Sequence, residues 1–149
     1  MLSPVKYIYQ EAIVLINERS TMMKTKTTIT KRMEFCYGHF LPGYNGKCKN
    51  IHGHNAVLEV TVSRTHDLPS YPGMIMDFKE LKTVTSGVLE ILDHKLLNDV
   101  LTATPTAENI AQFIFDYINS RLYIYSGIQL EKVKVSETPD SWAEVKRCE

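Results

Sequence analysis

The stretch Cys48-Lys49-Asn50-Ile51-His52-Gly53-His54, with His39 a short way upstream, holds three of the five histidines and one of the three cysteines of the chain. Imidazoles and thiols bind zinc and move protons near neutral pH, so chemistry is expected in this window. If His52 and His54 open the apolar run over residues 56–62 as a strand, period-2 geometry puts both rings on one face, with Cα atoms ~7 Å apart at ~3.3 Å per residue. Gly53 between them has no side chain, which leaves room for another backbone or a ligand to approach. His39 would complete a set of three neutral nitrogens, and zinc held by three protein ligands keeps a fourth position open for water or substrate. Two plainer readings stand beside this one. A His-x-His pair also occurs as an ordinary half-exposed strand pair, and Cys48 could close the site as a fourth, structural ligand, although structural zinc sites more often draw on several cysteines.

The flanking sequence supplies elements to position these groups. The β-branched run from Thr25 to Phe35 reads as a strand that delivers the chain to His39, and residues 41–46, with Pro42, Gly43, Asn45 and Gly46, form a turn-rich loop into Cys48. A second strand over residues 55–64 pairs antiparallel with the first. Residues 66–73 are a loop in which His66 is expected to be merely solvated. Asp77, with Glu80 three residues on, predicts a capping box opening a helix whose apolar face is Phe78, Leu81, Val84, Val88, Leu89 and Leu92. Asp93-His94 stands at its end, where a histidine can also do no more than meet the helix dipole. Thr104 is the expected cap of the next helix, with Pro105 at its first position and a stripe of Ala107, Ile110, Ala111, Ile114, Tyr117, Ile118 and Leu122. A short strand is expected around residues 122–128. The alternation through Val133 and Val135 predicts a last strand ending at Glu137, a position at which a carboxylate is usually just solvated. The fold class is therefore α+β, an antiparallel sheet with two helices packed on one face.

Composition narrows the partners. The chain has 149 residues, 17 basic and 17 acidic, so neither nucleic acid nor an anionic membrane surface is an expected partner. That length suits a single core. Three cysteines without a framework spacing, and no leader-like start, predict a reducing, cytoplasmic setting. Residues 1–22 read as an N-terminal extension of unassigned role with an amphipathic helix through Val5, Ile8, Tyr9, Ala12, Ile13 and Ile16, and Met22-Met23 fits a native start for a domain over residues 23–149.

The motifs F-x-x-x-H at 35–39, C-x-x-x-H-G-H at 48–54, G-M-I-M-D-F at 73–78, L-D-H-K-L-L-N at 92–98, P-T-A-E-N-I-A at 105–111 and E-T-P-D-S-W at 137–142 occur in one order. That ordered set resembles the 6-pyruvoyltetrahydropterin synthase family, and within it the bacterial branch that forms 6-carboxytetrahydropterin in queuosine biosynthesis. The resemblance implies a tunnelling fold, in which sheets from several subunits close an oligomeric barrel, a hexamer of two stacked trimers, with active sites between chains.

By the same resemblance His39, His52 and His54 match zinc ligands, Cys48 a catalytic proton acceptor, and Asp93 with His94 a proton-relaying pair. Glu137 matches the carboxylate that grips the pterin, and Thr106 a further pterin contact. The implied reaction converts 7,8-dihydroneopterin triphosphate to 6-carboxytetrahydropterin, with loss of acetaldehyde and triphosphate and with Zn2+ as cofactor. Two alternatives are a pyruvoyl synthase, which eliminates triphosphate but keeps the three-carbon side chain, and a zinc-stabilised pterin binder without turnover. The three-residue interval between Cys48 and His52 resembles the carboxy-forming enzymes, whereas the mammalian-type pyruvoyl synthases carry two more residues there. The chain departs from the pattern at Cys36-Tyr37-Gly38 and at Phe40, where relatives often have small residues and an arginine.

Overall fold

A computed structural model of the chain describes residues 8–16, 26–65 and 73–148. The readings made above for His66 and for Met22-Met23 lie outside these residues. Residues 8–16 form helix α1, whose Ile8, Tyr9, Ile13 and Ile16 stay more than half exposed. The remaining elements are β1 (Thr28–His39), β2 (His52–Arg64), α2 (Phe78–Leu92), β3 (Lys95–Leu96), α3 (Ala107–Arg121), β4 (Ile128–Thr138) and β5 (Ser141–Lys146).

The strands form one sheet in the order β3-β1-β2-β4-β5. All long pairings are antiparallel, but β3 lies parallel to β1 over Tyr37–Lys95 and Gly38–Leu96, so the sheet is mixed and not purely antiparallel as expected. One face is apolar. Phe35, Ala56, Leu58, Val60, Val133 and Val135 lie on it, and α2 and α3 cover it through Leu81, Val88, Leu92, Ile110, Ile114 and Ile118. At Gly87 in α2 an added Cβ would stand 2.8 Å from the Tyr117 hydroxyl, so a side chain there would make the Tyr117 ring move. The other face is polar. It carries the pairs Arg32–Glu34, Lys134–Glu59 and Lys146–Glu144, and Lys134 stacks over the Trp142 ring.

Four local expectations are corrected. Phe78 is 54% exposed, because Ile75 and Met76 just before the helix are buried in its place. The α3 cap is Thr106, whose hydroxyl accepts from the Asn109 amide, and Pro105 stands before the helix instead of at its first position. Both threonines are cap formers, but Asn109 reaches back to the Thr104 carbonyl, which fixes Thr104 in the turn and the cap at Thr106. Residues 122–124 make a 3₁₀ turn and not a strand, with Tyr123 and Ile124 exposed and Gly127 at positive φ turning the chain into β4. β5 was not foreseen. It returns from β4 through Pro139-Asp140 as a hairpin, and the motif E-T-P-D-S-W is that hairpin.

Candidate functional site

Register brings the three histidines together. His39 is paired with His52 across β1 and β2, and Tyr37 with His54, so all four side chains share the face that further along holds Phe35, Ala56 and Leu58. The apolar face thus ends in imidazoles. Gly53 sits opposite Gly38, and a Cβ on it would lie 3.1 Å from the Tyr37 carbonyl. Backbone therefore takes the space that Gly53 was expected to leave.

Two of the three rings are oriented by a backbone acceptor. His39, only 3% exposed, donates Nδ1–H to the Pro105 carbonyl at 2.7 Å, and His52 donates Nδ1–H to the Asn50 carbonyl at 2.8 Å. A carbonyl can only accept, so these bonds assign the proton to Nδ1 and leave Nε2 with its lone pair facing the cluster. Ligand nitrogens of all three rings lie within 4.8 Å of one another, and His39 Nε2 stands 3.1 Å from His54 Nε2. Two nitrogens sharing a tetrahedral zinc at ~2.0–2.1 Å stand about 3.3 Å apart, so the donor set fits such an ion. Cys48 does not join that group, which speaks against the structural four-ligand reading. It sits half-buried on a 3₁₀ turn, Lys47–Lys49, whose carbonyl at Cys48 receives the Leu41 amide at 2.8 Å.

Glu137, at the end of β4 before the hairpin, stands over the cluster. Its Oε1 is 3.7 Å from His39 Nε2 and 3.9 Å from His54 Nε2, and it accepts a 2.8 Å bond from the Tyr37 hydroxyl. Burial first, then the neighbouring Glu137 charge and that hydrogen bond, push the Tyr37 hydroxyl well above its ordinary value, so it stays a donor. Burial also pulls His39 below the usual histidine range, against the Pro105 carbonyl and Glu137, which act to raise it. Neutral histidine is the form that binds metal. The Tyr37 ring meets His39 edge-on at 5.2 Å. Sequence reasoning marked Tyr37 only as a departure. Its parity with His39 could have put it in the pocket, but its partner lies 100 positions away.

Asp93 and His94 are elsewhere. Asp93 is the C-cap of α2, and His94 follows at φ 57°, a left-handed conformation usually taken by glycine. His94 Nδ1 lies 2.9 Å from Asp93 Oδ2, and Asp93 Oδ1 accepts the Cys36 amide at 2.8 Å. That amide, with His94 adding to it, holds the Asp93 carboxyl below its ordinary value. The pair lies beside Cys36, which alternates with Phe35 and Tyr37 and so faces the opposite side of the sheet from the three histidines. One chain therefore assembles the three imidazoles with Glu137, and assembles the Asp93-His94 pair separately. Thr106 caps α3 by accepting the Asn109 amide, which leaves its O–H to donate, and stands one residue beyond the carbonyl that orients His39.

Residues 28–148 match the family profile described as 6-pyruvoyl tetrahydropterin synthase. A 6-carboxy-5,6,7,8-tetrahydropterin synthase of Synechocystis is 38% identical over 120 residues, covering 77% of this chain and 89% of that protein. One of Rickettsia bellii is 33% identical over 138 residues, covering 78% of this chain and 97% of that one. Among solved structures, the 6-pyruvoyl tetrahydropterin synthase of Caenorhabditis elegans superposes with a TM-score of 0.72 at 28% identity, over 83% of this chain and 97% of that one.

Proposed function

Because this chain belongs to the 6-pyruvoyl tetrahydropterin synthase family, we propose that it is a cytoplasmic, zinc-dependent carbon–carbon lyase that converts 7,8-dihydroneopterin triphosphate to 6-carboxy-5,6,7,8-tetrahydropterin, acetaldehyde and triphosphate in queuosine biosynthesis. The observation that carries this reading is the convergence of His39, His52 and His54 on one point beside Glu137. Zinc bound by these three nitrogens would offer an open position at which a substrate hydroxyl becomes more acidic.

The chain's own groups do the rest. Glu137, fixed by the Tyr37 hydroxyl, accepts from the amino and ring N–H groups of the pterin, a donor pair suited to a bidentate carboxylate. Thr106 adds a further contact to the ring. Cys48, from the turn that leads into β2, takes a proton from the substrate side chain, and His94, oriented by Asp93, moves another. Since the sheet separates Asp93-His94 from the histidines within one chain, the relay that completes a site comes from a neighbouring copy. A homo-oligomer, a hexamer of two stacked trimers, supplies that neighbour and covers the sheet edges at β3 and β5.

The three-residue interval between Cys48 and His52 favours cleavage of the side chain over simple elimination. A strand advances ~3.3 Å per residue and a proton carrier must work within ~3 Å of its target, so a turn two residues longer would present the thiol to a different carbon. The test is mass analysis of the products after incubation with dihydroneopterin triphosphate. 6-Carboxytetrahydropterin with acetaldehyde is expected. A retained three-carbon side chain without acetaldehyde would make the chain a pyruvoyl synthase, and unchanged substrate would leave it a binder.

A further inference from the structure

We propose that Cys36, Asp93 and His94 form a second, weaker metal site for a borderline-soft dication of the zinc type, on the sheet face opposite the three histidines, and that an ion there silences the Asp93-His94 pair. The thiol, one ring nitrogen and one carboxylate oxygen lie within 4.8 Å of one another, half-buried to exposed, and Cys36 and His94 line an open cleft of about 620 Å³. Sulfur, nitrogen and oxygen together suit zinc better than magnesium or calcium, which select oxygen ligands.

The three residues are tied to one another before any ion arrives. The Asp93 carboxylate accepts the Cys36 amide at 2.8 Å, the His94 amide donates to the Cys36 carbonyl at 2.6 Å, and the His94 ring pairs with Asp93 at 2.9 Å. His94 also keeps its left-handed backbone, which carries its ring to the Cys36 side. Little ordering is left to be done on binding. Nitrogen and oxygen donors of one tetrahedral zinc stand about 3.3 Å apart, so the His94 Nδ1–Asp93 Oδ2 pair, at 2.9 Å, has to open by only a few tenths of an ångström to share an ion. The Asn55 side-chain oxygen accepts the Cys36 thiol at 3.2 Å and is a further oxygen beside the sulfur.

Three features make this site weaker than the histidine one. The thiol must give up its proton, the His94–Asp93 hydrogen bond must yield, and Lys95 brings a like charge to the same cleft. The same features couple binding to function, because an ion on His94 and Asp93 removes the proton that the pair would move. This inhibitory half rests on the relay role proposed above, whereas the binding half does not.

The experiment uses the full chain, a phosphine reductant, and zinc or cobalt(II) as the probe. Zinc loading followed by metal analysis is expected to give two ions per chain in the wild type and one in Cys36→Ser. Cobalt titration is expected to give a thiolate-to-metal charge-transfer band at the second equivalent, retained in Cys48→Ala and absent in Cys36→Ser. One ion per chain in both proteins, or a band that survives Cys36→Ser, would overturn the site. In turnover assays excess zinc should inhibit the wild type and spare Cys36→Ser, whose basal rate is unchanged. Equal inhibition of both would overturn the silencing role. A protein with no pterin turnover at all would instead count against the proposed function, and the stoichiometry would still decide the site.

Discussion

Tyr37 shows how one side chain can set the use of another. Its hydroxyl holds Glu137 Oε1 beside the imidazoles, and the hydroxyl is the only group that Tyr37→Phe removes. A hydrogen bond to a charged group is worth ~1.5–3 kcal/mol, so the variant should raise the KM for the pterin by about tenfold or more, with kcat nearly unchanged; steady-state kinetics check it. At Cys48 the expectation differs. The thiol stands apart from the three nitrogens, so Cys48→Ala should keep its zinc by metal analysis and lose turnover, whereas loss of both would restore Cys48 as a ligand. His39 predicts a pH dependence of the metal-free protein. Burial lowers its pKa in the fold, so below the unfolded value of about 6.5 the unfolded chain takes a proton that the folded one refuses, and stability falls as pH drops. Melting temperatures between about pH 7 and 5.5 should decline, and His39→Gln should flatten that slope. Asp93 contributes lower down. Its depressed carboxyl favours the fold above the ordinary carboxylate range and loses that effect as pH falls through the folded value.

At the scale of elements, the end of α2 trades stability for position. His94 stands one residue past the Asp93 cap in a conformation that costs a non-glycine residue about 1–2 kcal/mol. His94→Gly should therefore raise the melting temperature, by up to ~1 kcal/mol of stability after the added freedom of the unfolded chain, while abolishing turnover. A lower melting temperature would show that the His94 ring contributes more than the backbone strain costs. Just beyond, Asn98 accepts from the Phe40 amide at 2.9 Å and donates to its carbonyl at 2.8 Å, clamping the end of β1 that carries His39. The shared face of His52 and His54 was legible in the sequence from their period-2 spacing around Gly53, whereas the arrival of His39 beside them is set by the β1–β2 register. The Thr106 cap was not, since Thr104 and Thr106 carry the same chemistry and only the Asn109 contacts choose between them. The same holds for β3 and β5. Two residues of β3 pair only because α2 ends beside β1, and β5 depends on β4 as a template.

At the scale of the molecule, the sheet sorts the chemistry. Its apolar face ends in the three imidazoles and Glu137, and its polar face carries Cys36, Asp93 and His94, with β3 and β5 at the edges. Motif order named the residues to which chemistry is assigned, but not that a sheet divides them, because that follows from the parity of Cys36 against Tyr37. If both halves act on one substrate, each site needs two chains. Co-expression of His54→Ala chains with His94→Ala chains, each inactive alone, tests this most directly. Mixed oligomers purified through a separate tag on each chain should regain a statistical fraction of wild-type lyase activity, because some sites join an intact histidine cluster to an intact relay. Mixed oligomers as inactive as their parents, beside wild-type oligomers that turn over normally, would contradict a site shared between chains.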